Sequence, residues 1–366
     1  MIDDHAHPFA TGFTPLDLAE ISLDVRNGAD GTDRRRREEL AAGRLATELL
    51  VSRLAAYLRC EPEEAVSVRD ARAAADWPGH VAGLFADAGI GGMLLDPGGG
   101  SGMVDDVKQY STLGGVPMWR LARIEPLLDQ LIGAGQGARE IVAAVTEFLS
   151  AAADDGAAGF KTVLAYRTGL AVDPDATLAD ADRSLDPAVP VRRRGKALRD
   201  LVFRRMLGVI AELGLPVQIH TGYGDSEIRL AESNPLLLDE VLRTPAGEAA
   251  TVVLIHGSFP WHDQAAYLAS VKPNLYVEMS LSPIFSPATT AGRLLRLLDT
   301  APAGRLLAGT DGHGQPETHW FAAHGLNMAF DKVSALLREA GARPSWIARA
   351  RELMLDGNAR SVYRLP

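Results

Sequence analysis

Val217-Gln218-Ile219-His220-Thr221-Gly222 is an apolar run that stops on one polar residue and is followed by a glycine. The pattern recurs in Val253-Leu254-Ile255-His256-Gly257 and in Leu307-Ala308-Gly309-Thr310-Asp311-Gly312. A short apolar run bounded by turn residues reads as a strand covered on both faces, as in a parallel sheet. Outward from these three, similar runs occupy residues 91–96, 118–124, 160–166 and 275–280, and the chain begins with one more, Ile2-Asp3-Asp4-His5-Ala6-His7-Pro8-Phe9. Amphipathic segments fit between them, most clearly over residues 127–152, 195–213, 264–270 and 288–298, with two more helices after the eighth run at 321–340 and 346–355. Eight strands alternating with helices predict an α/β protein, a (β/α)8 TIM barrel.

Residues 15–76 break the rhythm. They are polar and helix-rich, with Leu40, Leu45, Leu49, Leu50, Leu54 and Leu58 near helical spacing, and they are too long for a plain connection. We read them as a helical insertion within one barrel domain spanning 1–366, with a flexible turn at 27–33. The run Arg34-Arg35-Arg36-Arg37, followed at once by Glu38-Glu39, reads as a solvated helix start.

In such barrels chemistry sits at the carboxyl ends of the strands. There the sequence places His220, His256 and Asp311, each costly to bury unless paired or bound to a metal. His5 and His7 point the same way from the first strand, about 6.6 Å apart along it. Four histidines and one carboxylate thus converge on one axis. Taken singly, each has a plainer reading: a hydrogen-bonded core histidine, or an aspartate capping the next helix. Together they predict a divalent-metal site.

A net charge of −10 argues against nucleic acid as a partner. No apolar stretch approaches a membrane span, and the N-terminus lacks the pattern of a signal peptide. A lone cysteine, Cys60, excludes an intrachain disulfide and fits a reducing cytoplasm. The expected partner is a small-molecule substrate, and a homo-oligomer stays open.

The order His5-Ala6-His7, His220, His256, Asp311 resembles the metal site of the metal-dependent amidohydrolase superfamily. Gly159-Phe160-Lys161-Thr162-Val163-Leu164-Ala165-Tyr166-Arg167-Thr168-Gly169-Leu170, Val217 through Asp225, and Thr310-Asp311-Gly312 with Pro316-Glu317-Thr318 are similar to the amidohydrolase half of nodulin/glutamine-synthetase-like fusion proteins. The chain ends at Pro366, so the resemblance covers that half alone. It implies that His5, His7, His220 and Asp311 hold a divalent metal, zinc first, with manganese or iron as alternatives. It implies further that Asp311 shuttles a proton and that His256 polarises the scissile bond. The implied reaction is hydrolysis of a C–N bond by metal-activated water; a non-hydrolytic decarboxylase or lyase is the runner-up, and a binding barrel that has lost catalysis the third reading.

In two-metal members a carbamylated lysine on the fourth strand bridges the ions, and Lys161 lies on that strand. Yet Lys161 and Arg167 share one strand parity, and six extended residues span about 20 Å. If Arg167 reaches the mouth on that strand, Lys161 lies too deep to bridge, so one ion is favoured and Lys161 becomes a substrate contact. Arg167 has a planar fork suited to a substrate carboxylate, the alternative being a salt bridge to Glu125. Arg123 and Glu125, at the end of the third strand, and His313 are expected to line the mouth; Glu278 and Asp225 are weaker candidates. Trp261 and Trp320 are candidate walls, His319 and His324 helix residues, and His80 a surface residue.

Overall fold

The computed structural model describes residues 1–21, 34–98 and 103–366. Strands β1 (Ile2–Ala6), β2 (Gly92–Leu95), β3 (Met118–Arg123), β4 (Gly159–Thr162), β5 (Pro216–His220), β6 (Thr251–Ile255), β7 (Leu275–Met279) and β8 (Leu306–Ala308) form one sheet in sequence order. Each pairs in parallel with the next. The sheet rolls until β8 meets β1, and the seam is closed past the strand ends. Asp311 N donates to His5 O and His7 N to Gly312 O, both at 2.8 Å. Asp3 accepts from Thr310 N (2.8 Å) and Thr310 Oγ1 (2.5 Å). This is the (β/α)8 barrel.

Strand alternation sorts the side chains. Ile2, Leu94, Leu121, Val253, Ile255 and Leu307 fill the barrel interior, and Val362 and Tyr363 from the last helix, Asn358–Tyr363, plug its floor. The opposite faces of the strands pack on the surrounding helices in the main core. Among the described residues no helix is long and apolar enough to cross a membrane.

Two expectations need correction. The segment 127–152 is two helices, Glu125–Gly133 and Ala138–Asp154. Gly135 adopts φ +75°, a left-handed conformation that ends the first helix. Strand β4 stops at Thr162, well short of residue 166, and the chain winds into a short 3-10 turn, Leu164–Tyr166.

The insertion forms helices Arg34–Ala42, Leu45–Leu58 and Ala65–Ala75. The turn expected at 27–33 and the side chains of Arg34 to Arg37 lie outside the described residues. Leu50, Leu54 and Leu58 pack with Trp320 and Phe321 of the long helix Pro316–Glu339, whereas Leu40 and Leu45 are exposed. Polar contacts reinforce this join. Glu317 Oε1 accepts from Arg69 Nε at 2.6 Å and pairs with His80 Nε2 at 2.7 Å, all three side chains being buried. His80 is therefore an interior residue, its burial compensated by Glu317.

Candidate metal centre

At the carboxyl ends of the strands lies a cavity of ≈ 680 Å³. Its floor is built by β1 and the loop after β8. Between Asp3 and Ala6 the pairing of β1 with β2 shifts register. His5 Nε2 and His7 Nε2 then both reach Asp311 Oδ1, at 3.3 and 3.1 Å. Each of the three offers a ligand atom within 4.8 Å of the others.

The donor chemistry tests whether a cation fits. His7 Nδ1 faces the carbonyl of Asp96 at 3.0 Å, a contact that requires an N–H. A neutral His7 therefore presents a bare Nε2 to a carboxylate oxygen, and two acceptors at 3.1 Å repel unless a proton or cation lies between them. Tetrahedral zinc with ligands at about 2.0–2.1 Å separates its ligand atoms by about 3.3 Å. The two spacings to Asp311 match, so the residues fit a divalent ion.

Electrostatics point the same way. Burial takes the His5 imidazole down to about 4, with Lys161 adding to the shift. Burial, helped by Lys161, holds His220 well below the usual imidazole range, and burial and His220 do the same to His256. Neutral imidazoles are the form that binds metal. Burial alone would raise Asp311, but its contacts with His5 and His7 and the nearby imidazoles hold it well below its ordinary value, as a carboxylate.

His220 stands apart from the set of three. Its Nδ1 lies 3.0 Å from His256 Nε2, while its own Nε2 is buried without a partner beside the cavity. The role expected of His256, polarising substrate, needs a free Nε2, and in the structure that nitrogen is engaged by His220.

Lys161 is not too deep. Because Arg167 belongs to the loop after the 3-10 turn, strand parity does not link the two, and Lys161 Nζ lies 3.3 Å from His5 Nε2 and 3.7 Å from Asp96 Oδ2. Burial brings this ammonium down to about 8 against the pull of Asp96.

Arg167 lines the cavity, but its salt bridge is to Asp129 (3.0 Å) rather than to Glu125. Arg199 holds the other oxygen of Asp129 at 2.7 Å, and Arg167 Nη1 is buried with no partner. Arg123 lines the cavity and is paired with Asp96 at 2.5 Å. His313 also lines it, its Nδ1–H donating to Asp311 O at 2.8 Å. Glu125 does not. Its Oε1 accepts from Thr162 Oγ1 (2.6 Å) and Val163 N (2.9 Å), capping the end of β4. Trp261 and Trp320 do not line the cavity; Trp320 is core and donates to Asp87.

Among the lining or supporting residues that escaped the sequence reading are Tyr166 and Asp96. Tyr166 meets His220 edge to face, ring centroids 4.6 Å apart. Asp96 is fully buried, accepts from Arg123 and orients His7, and its signal was present: strand two also stops on a polar residue, followed by Pro97-Gly98.

The glycine after His220 has a physical reason. Gly222 sits at φ +76°, where a Cβ would stand 2.4 Å from Phe259 O. Gly222→Ala should cost more than about 1 kcal/mol, read as a lower denaturation midpoint at unchanged m-value. An unchanged midpoint would show that the loop yields.

Known proteins share the barrel and its family. Protein fluG of Emericella nidulans is 34% identical over 197 residues, a match covering 50% of this chain and 22% of that protein's length. A Lactobacillus casei protein, named provisionally as a metal-dependent hydrolase, shares the fold at TM-score 0.85 and 22% identity, over 99% of this chain and 94% of its own. Glucuronate isomerase from Caulobacter crescentus does so at TM-score 0.68 and 15% identity, over 100% and 91%. The amidohydrolase family model matches residues 2–365, from the paired histidines of β1 to the plug of the barrel floor, and the chain belongs to that family.

Proposed function

We propose that the protein is a metal-dependent hydrolase that cleaves a C–N bond of a small, carboxylate-bearing substrate. One observation carries the reading: in a single cavity, two histidine nitrogens converge on a carboxylate oxygen, and an arginine on the wall keeps one buried N–H without a partner. His5, His7 and Asp311 would hold a divalent ion, with His220 Nε2 as the fourth donor, and zinc ahead of manganese or iron. One ion is the count that this single three-donor group supports. Such a cation would lower the pKa of a water toward about 7 and polarise a carbonyl oxygen.

The chain's own groups supply the rest. Arg167, braced by Asp129, would clamp the substrate carboxylate bidentately. The attacking water gives its oxygen to the carbonyl carbon, and Asp311 takes one of its protons. As the C–N bond breaks, Asp311 passes that proton to the leaving nitrogen. Arg123, Lys161 and His313 line the space where the carbonyl would lie.

The test is a screen of N-acyl and γ-glutamyl amides in isotope-labelled water. Activity should vanish on chelation and return with zinc, manganese or ferrous iron, and one solvent oxygen should enter the product carboxylate. Release of carbon dioxide without solvent oxygen would replace hydrolysis by decarboxylation. Purified protein holding well under one equivalent of metal, with no rescue by added ion, would remove both.

A further inference from the structure

Behind the cavity four side chains stand in line. Glu278 of β7 is fully buried, and its Oε2 accepts from the His256 backbone N–H at 3.1 Å and from the Ser280 hydroxyl at 2.7 Å. Ser280 Oγ lies 2.8 Å from His256 Nδ1, and His256 Nε2 lies 3.0 Å from His220 Nδ1. The site is made to measure on the barrel side. A Cβ on Gly309 would stand 2.5 Å from Glu278 Oε1, so the glycine leaves room for this carboxyl. At its other end, His256 holds a left-handed backbone, φ 67°, with the Glu278 bond on its N–H.

Counting hydrogens fixes the direction of the chain. A backbone N–H only donates, so Glu278 Oε2 accepts from His256 N, and as a carboxylate it accepts from the Ser280 hydroxyl as well. The single hydrogen of Ser280 goes to Glu278, and toward His256 the hydroxyl therefore accepts. His256 Nδ1 carries the proton and its Nε2 is bare. The nitrogen facing it at 3.0 Å, His220 Nδ1, must then donate. His220 is left with Nε2 as its bare nitrogen, the buried atom without a partner beside the cavity.

We infer that Glu278 and Ser280 act together as positioning residues, fixing through His256 the tautomer of His220 that offers Nε2 to the cation. The inference rests on the metal-site reading above. Were the chain reversed, His256 Nε2–H would donate to His220 Nδ1, and a neutral His220 would carry its proton on the nitrogen meant for the metal. Groups that orient ligating histidines in this way alter metal affinity by about 10- to 100-fold.

The experiment reads tautomers directly. In metal-free protein carrying isotope-labelled histidine, long-range proton–nitrogen correlation should show both His220 and His256 protonated at Nδ1, with the His256→Gln variant giving the assignment. Ser280→Ala should weaken zinc, measured by competition with a chromophoric chelator, by about 10- to 100-fold. Ser280→Thr, which keeps the hydroxyl, should restore wild-type affinity. A wild-type His256 protonated at Nε2 overturns the inference without any variant having to fold, and so does wild-type zinc affinity in Ser280→Ala. Neither readout uses turnover, so a failed amide screen bears on the proposed reaction alone.

Discussion

Asp311→Asn should lower kcat by about 10²–10⁴-fold at saturating metal. Asp311 is the only carboxylate among the three groups that converge on the metal position, and it is held ionised well below its usual range. On the proposed hydrolysis it is the group that would take a proton from water and return one to nitrogen. Asparagine keeps the shape and an acceptor oxygen but has no useful basicity. It also suits the backbone, because residue 311 has φ +54°, a left-handed conformation that Asn tolerates better than most residues. Metal content should therefore stay near that of the wild type while turnover falls. Turnover at the wild-type rate with full metal occupancy would refute the proton transfer assigned to Asp311.

Glu317→Gln should destabilise the protein by about 3–5 kcal/mol, the cost of breaking a buried ion pair. Arg69 and Glu317 are both fully buried, and the arginine also donates to Thr14 O at 2.5 Å. The variant leaves that buried guanidinium with only the half-buried Asp70, 2.9 Å from its Nη1, to offset its charge, in a join that ties the insertion to the helix following the Asp311 loop. The pH dependence has a definite sign. Burial opposes ionisation of Glu317, but hydrogen bonds from His80 and Arg69 outweigh it, and the folded pKa lies below the ordinary one. The stabilisation is therefore complete above the unfolded value of about 4.3 and is lost as pH falls through the folded one. Denaturant midpoints at neutral pH and in acid should converge between wild type and variant as pH drops. A loss under about 1 kcal/mol would mean that the cluster relaxes as readily as an exposed pair.

What could be read from the sequence was local. An apolar run that stops on a polar residue before a glycine marks where a buried strand reaches the barrel mouth, and this placed β5, β6 and β8 and the groups at their ends. The end of β4 could not be read that way. Residues 160–166 look like one long strand, but Glu125 captures Thr162 Oγ1 and Val163 N, and Leu164 N turns back to Thr162 Oγ1 at 3.2 Å. A side chain from the neighbouring strand's end competes with the sheet ladder, and the chain leaves the sheet. That single event brought Lys161 beside His5 and sent Arg167 into a loop. The partners of His80 and Arg167 were hidden for a similar reason. Glu317 is 237 positions from His80, and Asp129 is 38 from Arg167, distances over which no periodicity carries information.

The seam between β8 and β1 also sets an order in time. β1 gains its first neighbour once Leu95 has been made, but its second ends at Ala308. At about 5–20 residues per second, a ribosome needs about 15–60 s to travel from the paired histidines to the carboxylate that joins them. Throughout that interval His5 and His7 stand on a strand with one edge unpaired, without the carboxylate that they later face. If His5, His7 and Asp311 hold a cation as proposed, the nascent chain cannot bind it in the mature geometry until the barrel closes, and capture of the ion would report that the last strand has found the first.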